Sequence, residues 1–431
     1  MTKEHIKKRD QSIVTNVLEE ISIIKHGGHT IRTGRKIVDR DKIGKIDIGL
    51  QDNKKLPNQY TGHTYKNKTE KFRLDGHKLL YHLDRILEWQ KGERIAPIHI
   101  DMGLTKFCNM GCIYCVGVTQ GGMTKGMMIK PDALLRFIND CGRLGVRSIS
   151  FIGDGEPTLN PGLYDAITLA KKLGVDTGMA TNGLLINMDR VHDILRDATF
   201  IRITLGAADP ESFRKIHQSA SSNFATIVEK LKTLVKIKRE NNYNCTVGIQ
   251  MVLIPENFDQ VIKLAELGAK TGVDYLQIKQ CSDTEYREIG INYGDYKKVE
   301  NDLKEAEKLS NENYLVKVKW NKINIFGETD LYKEGFRKYD ICYGTPFLGQ
   351  ISGNGKVYPC GPFFGKERFC MGDIHEESYC NIIMNDKYWK AHQDIIDNVD
   401  VHCDCTIGCR QDYINKLLWD LKNPPDHVNF I

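Results

Sequence analysis

The feature that most constrains this chain is a sixfold alternation that begins near residue 98 and ends near residue 279. Apolar, β-rich runs occupy 98–105, 148–153, 175–183, 199–205, 245–254 and 274–279, and stretches of helical period such as PDALLRFINDCGRLG and NFATIVEKLKTLVKIKREN separate them. Runs that stay apolar, instead of alternating with polar residues, suit strands buried on both faces. Such strands lie parallel, with helices packed over them. Six βα units in succession predict an incomplete, open (β/α)6 barrel, whose chemistry is expected at the C-terminal ends of its strands. No short sequence repeat accompanies the alternation.

Outside this core the pattern is less regular. The stretch SIVTNVLEEISII (12–24) reads as a short helix, HGGHTIRTGRK as a turn entering a strand, and the polar 51–71 as loop or linker. From Lys78, KLLYHLDRILEWQKGE carries apolar residues at helical spacing. Past residue 285 a helix (YKKVENDLKEAEKLS) and a strand (LVKVKW) lead into a Gly- and Cys-rich stretch, which needs a cross-link or metal to hold it. A last helix is stopped by Pro424 and Pro425. The expected division is 1–95, a basic extension with a lead-in helix; 96–285, the barrel; and 286–431, a cysteine-rich domain.

Composition excludes several classes. With 431 residues, 41% of them hydrophobic and 27% charged, the chain has the make-up of a globular protein and room for a barrel plus an accessory domain. It has no run of about 18 apolar residues, the length a membrane helix needs, and its charged opening, MTKEHIKKRDQ, lacks the apolar stretch of a signal peptide. A cytoplasmic location is expected. There, thirteen cysteines point to metal binding or catalysis rather than disulfides. Residues 1–72 hold 16 Lys and Arg against 9 Asp and Glu, while the whole chain carries a net +5. That basic front suits a phosphorylated substrate or nucleic acid, and equally a solvated face or a disordered arm. Nucleic acid is not expected as a partner.

The stretch KFCNMGCIYCVG (106–117) holds Cys108, Cys112 and Cys115 in the spacing C-x3-C-x2-C, directly after the first strand. Three thiolates satisfy three irons of a [4Fe–4S] cluster. The spacing matches neither the ferredoxin run nor the paired C-x2-C of zinc ribbons. A fourth iron without a protein thiolate is open to an exogenous ligand. The alternative is a zinc knuckle completed by a remote fourth residue.

With its aromatic residue before the last cysteine (Tyr114), this loop resembles that of the radical SAM superfamily, and four further segments agree in order. GDGEP (153–157) follows the second strand, where the family has a GGEP-like turn for the amino group of S-adenosylmethionine. Asp154 stands where the family often has glycine; Gly153 and Gly155 keep the close backbone approach and Glu156 the carboxylate. ATNG (180–183), with Asn182, matches a family turn. IRITLGA resembles the ribose-contacting segment, with Thr204 in the serine position, and VGIQMVLIPEN (247–257) resembles the stretch that packs on adenine. The resemblance covers about 95–285. It implies that S-adenosylmethionine chelates the open iron and is cleaved reductively to methionine and a 5′-deoxyadenosyl radical, which abstracts hydrogen from the substrate. The electron would come from a donor such as a flavodoxin or ferredoxin.

The C-terminal cysteines extend the resemblance. Cys342 and Cys360, with Gly355 four residues ahead of the latter, match the opening of SPASM and twitch domains, and Cys405-x3-Cys409 matches their close. The full two-cluster pattern is not met. This implies one auxiliary [4Fe–4S] cluster on Cys342, Cys360, Cys409 and either Cys403 or Cys405, or two if Cys370 and Cys380 contribute. His375 and His402 are expected off the iron, and Cys141 and Cys245 to be structural.

Cys281, just past the sixth strand, is either a hydrogen-atom donor, as in some radical SAM epimerases, or an ordinary strand-end residue. The segment from Lys78 to Asn109 and the ending HVNFI resemble radical SAM proteins acting on sugars or similar polar metabolites. The reading is therefore dehydrogenation or epimerisation of a polar, sugar-like small molecule, with phosphorylated and nucleotide-linked sugars among the candidates. Modification of a peptide or protein is the runner-up. A non-enzymatic iron–sulfur or zinc protein binding nucleic acid would explain the basic front but not the GDGEP turn.

Overall fold

The computed structural model describes residues 22–26, 29–33, 76–119, 127–283, 288–328, 337–405 and 409–430. At the front, β1 (Ser22–His26) and β2 (His29–Thr33) pair antiparallel. Ser22–Ile24 is thus strand where helix was expected: the β-branched SIIKH and HTIRT flank Gly-Gly, a hairpin signal stronger than the helical period of its neighbours. The rest of the expected 12–24 helix, and the 51–71 linker, lie outside the described residues.

All six expected barrel strands are present: β3 (His99–Met102), β4 (Ser148–Phe151), β5 (Asp176–Thr181), β6 (Phe200–Thr204), β7 (Thr246–Leu253) and β8 (Tyr275–Gln280). They pair in sequence order and in parallel. The sheet does not stop there. β9 (Leu315–Val318) adds in parallel beyond β8, and β10 (Leu348–Ile351) adds in parallel on the other side of β3. β11 (Lys356–Tyr358) and β12 (Gly372–Asp373) continue antiparallel from β10. The sheet therefore runs across the expected boundary at 285, and its two ends, β9 and β12, leave the barrel open.

Residue alternation decides what faces where. Ile100, Met102, Ile149, Phe151, Ile201, Ile203, Val247, Ile249, Leu276 and Ile278 are fully buried and pack outward against the helices, for example on Phe137 and Ile138 of Pro131–Arg143. The other strand parity faces inward. It carries His99, Asp101, Ser150, Arg202, Gln250, Gln277 and Lys279, a polar lumen inside an apolar jacket. The sheet is curled around this lumen. In a flat sheet Asp101 and Arg202, three strands apart, would lie about 14 Å from each other, yet their charges act on one another. At mid-height the inner wall needs Gly248, because a Cβ there would stand 2.1 Å from the Tyr275 ring.

The C-terminal region packs directly on this frame. The Tyr379 ring packs tilted against Phe137, with ring centroids 4.8 Å apart, and the Tyr379 N–H donates to the Asp140 carboxylate (2.8 Å). No helix among the described residues is long and apolar enough to cross a membrane.

Candidate active site

The cysteine loop leaves the top of β3 and is tied down at three places. Thr105 donates its hydroxyl to the Met127 carbonyl (2.9 Å) and accepts the Phe107 N–H (3.0 Å). The Phe107 carbonyl accepts the Glu156 N–H (2.9 Å), joining the loop to the GDGEP turn. Gly111 and Ile113 donate their N–H groups to the carbonyls of His217 and Ile216 (3.1 and 3.0 Å). Those carbonyls close the helix Pro210–His217, whose start is fixed by the Asp209 cap and Pro210.

This anchoring brings Cys108, Cys112 and Cys115 together, each half-buried. Burial pushes the Cys108 thiol up to about 11, helped by Glu156 and Cys115, and Cys112 to about 12, helped by Cys115 and Cys108. Such thiols stay protonated at neutral pH unless a metal takes the proton's place. Among the described residues, no three His, Cys, Asp or Glu side chains converge on a single-ion site. Thiolates of an iron–sulfur cluster each bind a separate iron. The donor set fits a cluster.

His217, which no sequence motif pointed to, stands behind this loop. Its Nδ1 is 3.2 Å from Cys112 Sγ, its ring stacks at 4.7 Å on Phe213, and burial draws its pKa down to about 4. Asn182, on the ATNG turn, donates its amide to Asn109 Oδ1 (2.7 Å) and lies 3.8 Å from Cys108 Sγ.

The GDGEP turn sits between the loop and β5. A Cβ on Gly155 would stand 2.2 Å from the Thr105 carbonyl oxygen, so only glycine fits. Gly153 backs onto Gly103. The buried Glu156 carboxylate accepts four hydrogen bonds: Thr158 N–H (3.1 Å), Thr158 hydroxyl (2.6 Å), Thr181 hydroxyl (2.5 Å) and Asn182 N–H (2.8 Å). Burial raises its pKa and these donors oppose the rise. Glu156 thus clamps the GDGEP turn to the ATNG turn. Asp154, the departure from the motif, faces elsewhere: it accepts the Ser352 hydroxyl (2.7 Å) and the Gly353 N–H (2.9 Å), tying the turn to the C-terminal region. Thr204 ends β6, half-buried, in register with Gln250.

Cys281 is buried in an apolar patch with Tyr114, Ile216, Val252 and Ile254, and its S–H donates to the Tyr114 carbonyl at 3.8 Å. Burial pushes this thiol up to about 12.

A second cysteine group gathers in the C-terminal region, beside β10 and β11 and within reach of Asp101 on β3. Cys342, Cys360, Cys405 and Cys409 act electrostatically on one another. Asn415 donates its amide to Cys342 Sγ (3.4 Å) and accepts the Gly344 N–H (2.8 Å). Arg337 faces Cys405 and Cys409, and the Lys322 ammonium donates to the Cys409 carbonyl (3.2 Å). These are cations where bound thiolates would gather negative charge. Cys403 is not brought into the group; it is exposed beside Asp400 and Asp404. Cys370 is buried with its thiol on the Gly372 carbonyl (3.8 Å), and Cys380 lies beside Asp140 and Cys141. Neither joins the four. His375 and His402 pair with Asp373 and Asp340.

Arg410, next to Cys409, reaches from this group into the lumen. Its guanidinium pairs with the Asp101 carboxylate and lies 3.1 Å from His99 Nε2. Burial alone would raise Asp101, but Arg410 and then His99 hold its carboxyl well below the usual range.

A sequence model of the radical SAM superfamily matches residues 102–268. The tungsten-containing aldehyde ferredoxin oxidoreductase cofactor-modifying protein of Pyrococcus furiosus is 22% identical over 313 residues, which is 67% of this chain and 82% of that protein. A probable GTP 3′,8-cyclase of Saccharolobus islandicus is 26% identical over 206 residues, 47% of this chain and only 61% of that relative. In fold the chain is similar to SuiB of Streptococcus suis, with a TM-score of 0.56 at 15% identity over 87% of this chain and 90% of SuiB. SuiB has also been solved with S-adenosylmethionine bound.

Proposed function

Because residues 102–268 belong to the radical SAM superfamily, we propose that this chain dehydrogenates a polar small molecule, sugar-like in character, held in the lumen of the barrel. The superfamily uses a [4Fe–4S] cluster and S-adenosylmethionine, and the chemistry they supply is reductive cleavage followed by hydrogen abstraction; a second cluster offers a one-electron acceptor. Cys108, Cys112 and Cys115 would hold the first cluster, and Cys342, Cys360, Cys405 and Cys409 the second. Glu156 and Asn182 would set the turns that receive the methionyl end of S-adenosylmethionine, with Gly153 and Gly155 allowing close approach and Thr204 near the ribose.

The observation that carries this reading is that two cysteine groups border one polar lumen, the first on the loop that leaves β3 and the second linked to it through Arg410 and Asp101. Dehydrogenation removes a hydrogen atom and then a further electron and a proton. An acceptor bordering the same lumen serves that sequence. Epimerisation needs a hydrogen-atom donor, and Cys281 is poorly set for it: its S–H is engaged by the Tyr114 carbonyl within an apolar patch. That setting supports a role in bracing the cysteine loop.

The test is anaerobic reconstitution with S-adenosylmethionine and reductant, followed by separate addition of metabolite and peptide fractions. The small-molecule reading expects a metabolite fraction to accelerate 5′-deoxyadenosine release and yield a product two hydrogens lighter. Acceleration by peptides alone would replace it with the modification of a peptide or protein. A stereoinverted product carrying solvent deuterium would restore epimerisation.

A further inference from the structure

The inner wall of the barrel carries more positive charge than its own residues neutralise. Arg202 on β6 and Lys279 on β8 both face the lumen by strand parity. Neither enters an ion pair among the described residues. Arg202 is 7% exposed; its neighbours are neutral, the Gln277 Oε1 at 3.5 Å, the Tyr275 hydroxyl and the Phe200 ring at 5.8 Å, and among the described residues its Nε has no hydrogen-bond partner. The carboxylate nearest in charge, Asp101, is already taken by Arg410 and His99. Glu156, at the mouth, has its four donors. An uncompensated buried cation is costly, because it loses hydration without gaining a counter-charge.

Two internal explanations fail. The cations that attend the four-cysteine group are Arg337 and Lys322, with Arg410 adjacent to Cys409. Arg202 and Lys279 sit among Gln250, Gln277 and Tyr275 on the lumen wall; Arg410 acts on both, but its own charge is met by Asp101 and theirs is not. The methionyl carboxylate of S-adenosylmethionine is the second candidate. The turns assigned to that molecule follow β4 and β5, whereas Arg202 is two residues, or about 7 Å, deeper than Thr204; Lys279 stands two strands further round, opposite Val252 and above the level of Thr204, with its charge still acting on that of Arg202.

We propose that Arg202 and Lys279, flanked by the side-chain amides of Gln250 and Gln277, form a subsite for a dianionic group of the substrate, of the phosphoryl class. Two unpaired cations match a dianion, and a guanidinium beside an ammonium is a common phosphate-binding pair. The buried amides add neutral donors. Bound there, the anion would hold the rest of the substrate toward the mouth, where hydrogen is abstracted. This deepens the reading of the lumen as the substrate chamber, but its test needs no turnover and so can fail separately.

The test is calorimetric titration of sulfate, a stable dianion, into anaerobically reconstituted holoenzyme with S-adenosylmethionine present. Saturable binding is expected, weakened roughly tenfold or more in R202Q and in K279Q, since each removes a charged hydrogen bond. Affinity for S-adenosylmethionine and iron content should match the unaltered protein in both variants. If R202Q loses iron or fold, K279Q decides, because Lys279 is only half-buried. Three results would overturn the proposal: no saturable sulfate binding, binding unchanged in K279Q, or a loss of S-adenosylmethionine affinity in its place.

Discussion

His217 and Cys112 are joined in a way that fixes the histidine tautomer. The Gly206 N–H donates to His217 Nε2 at 2.9 Å, so that nitrogen carries no hydrogen. In the neutral ring the proton therefore sits on Nδ1, which faces Cys112 Sγ at 3.2 Å. The loop cysteine thus receives an N–H···S hydrogen bond from a buried, uncharged donor.

That bond has an electrochemical consequence. Donors to a cluster's sulfurs favour its reduced, more negative state. Replacing His217 by Phe should lower the potential of the Cys108–Cys112–Cys115 cluster by about 40 mV, taking a net hydrogen bond as about 1 kcal/mol and a tenfold change as about 59 mV for one electron. A redox titration followed by electron paramagnetic resonance reads this directly. An unchanged potential with full cluster content would mean that His217 only packs.

Glu156 is expected to act on stability as well as on S-adenosylmethionine. In E156Q the amide oxygen can keep the three Oε1 contacts, but the NH2 then faces the Asn182 N–H, which can only donate. One buried donor pair is left opposed, at a cost of about 1–3 kcal/mol. E156Q should melt several degrees lower and bind S-adenosylmethionine at least tenfold more weakly. Loss of affinity with no change in melting would show that the clamp between the turns is not what the carboxylate provides.

The Asp154 contact makes a contrasting prediction. D154G restores the glycine common in the family's turn but releases Ser352 and Gly353. Thermal stability should fall by about 1 kcal/mol for these partly exposed bonds, while S-adenosylmethionine affinity stays close to that of the unaltered protein. A large loss of affinity with unchanged stability would place Asp154 at the cofactor instead.

Sulfate binding in the lumen should depend on pH through Lys279. Burial, with help from Arg202 and Arg410, lowers its pKa to about 8, opposed by Cys281 on the same strand end. A lowered lysine pKa means that the ammonium is lost as pH rises through that value, so sulfate affinity should fall above about pH 8. The bound anion favours the charged form, so the midpoint in the complex lies higher than in the free enzyme. Sulfate keeps its own charge throughout. K279Q should abolish the dependence; an equal pH slope in K279Q would assign it to another group.

How much of this was legible in the sequence follows from what each feature depends on. The six strands were readable because their outward parity is apolar throughout and they recur between helices of regular length, and the cysteine loop because its spacing is local. Asp154 read as a flaw in a motif, since its partner Ser352 lies 198 residues away. His217 carries no pattern: it is one residue at a helix end, placed under Cys112 by a fold that sequence spacing does not specify. Arg202 and Lys279 are visible as charges within apolar runs, but only the strand parity shows that both point into the lumen. β10 was unreadable as a barrel neighbour because its pairing with β3 spans most of the chain.

The choice between Cys403 and Cys405 was open in the sequence, where the two stand one residue apart, and it can be decided by counting iron. Cys405 faces Cys342, Cys360 and Cys409, whereas Cys403 is exposed beside two aspartates. Both cysteine groups together should bind about eight irons per chain, four in each cluster. Replacing Cys108, Cys112 and Cys115 by Ala should leave about four, together with the spectrum of one remaining cluster, and should end 5′-deoxyadenosine release. In that background C403A should retain the four irons and C405A should fall below four, because the iron that loses its protein ligand has no bound cofactor to take its place. Cys370 and Cys380 lie apart from the group, so C370A and C380A should leave the count unchanged. Iron retained in C405A but lost in C403A would reverse the assignment and require the segment around Cys403 to turn inward when the cluster binds.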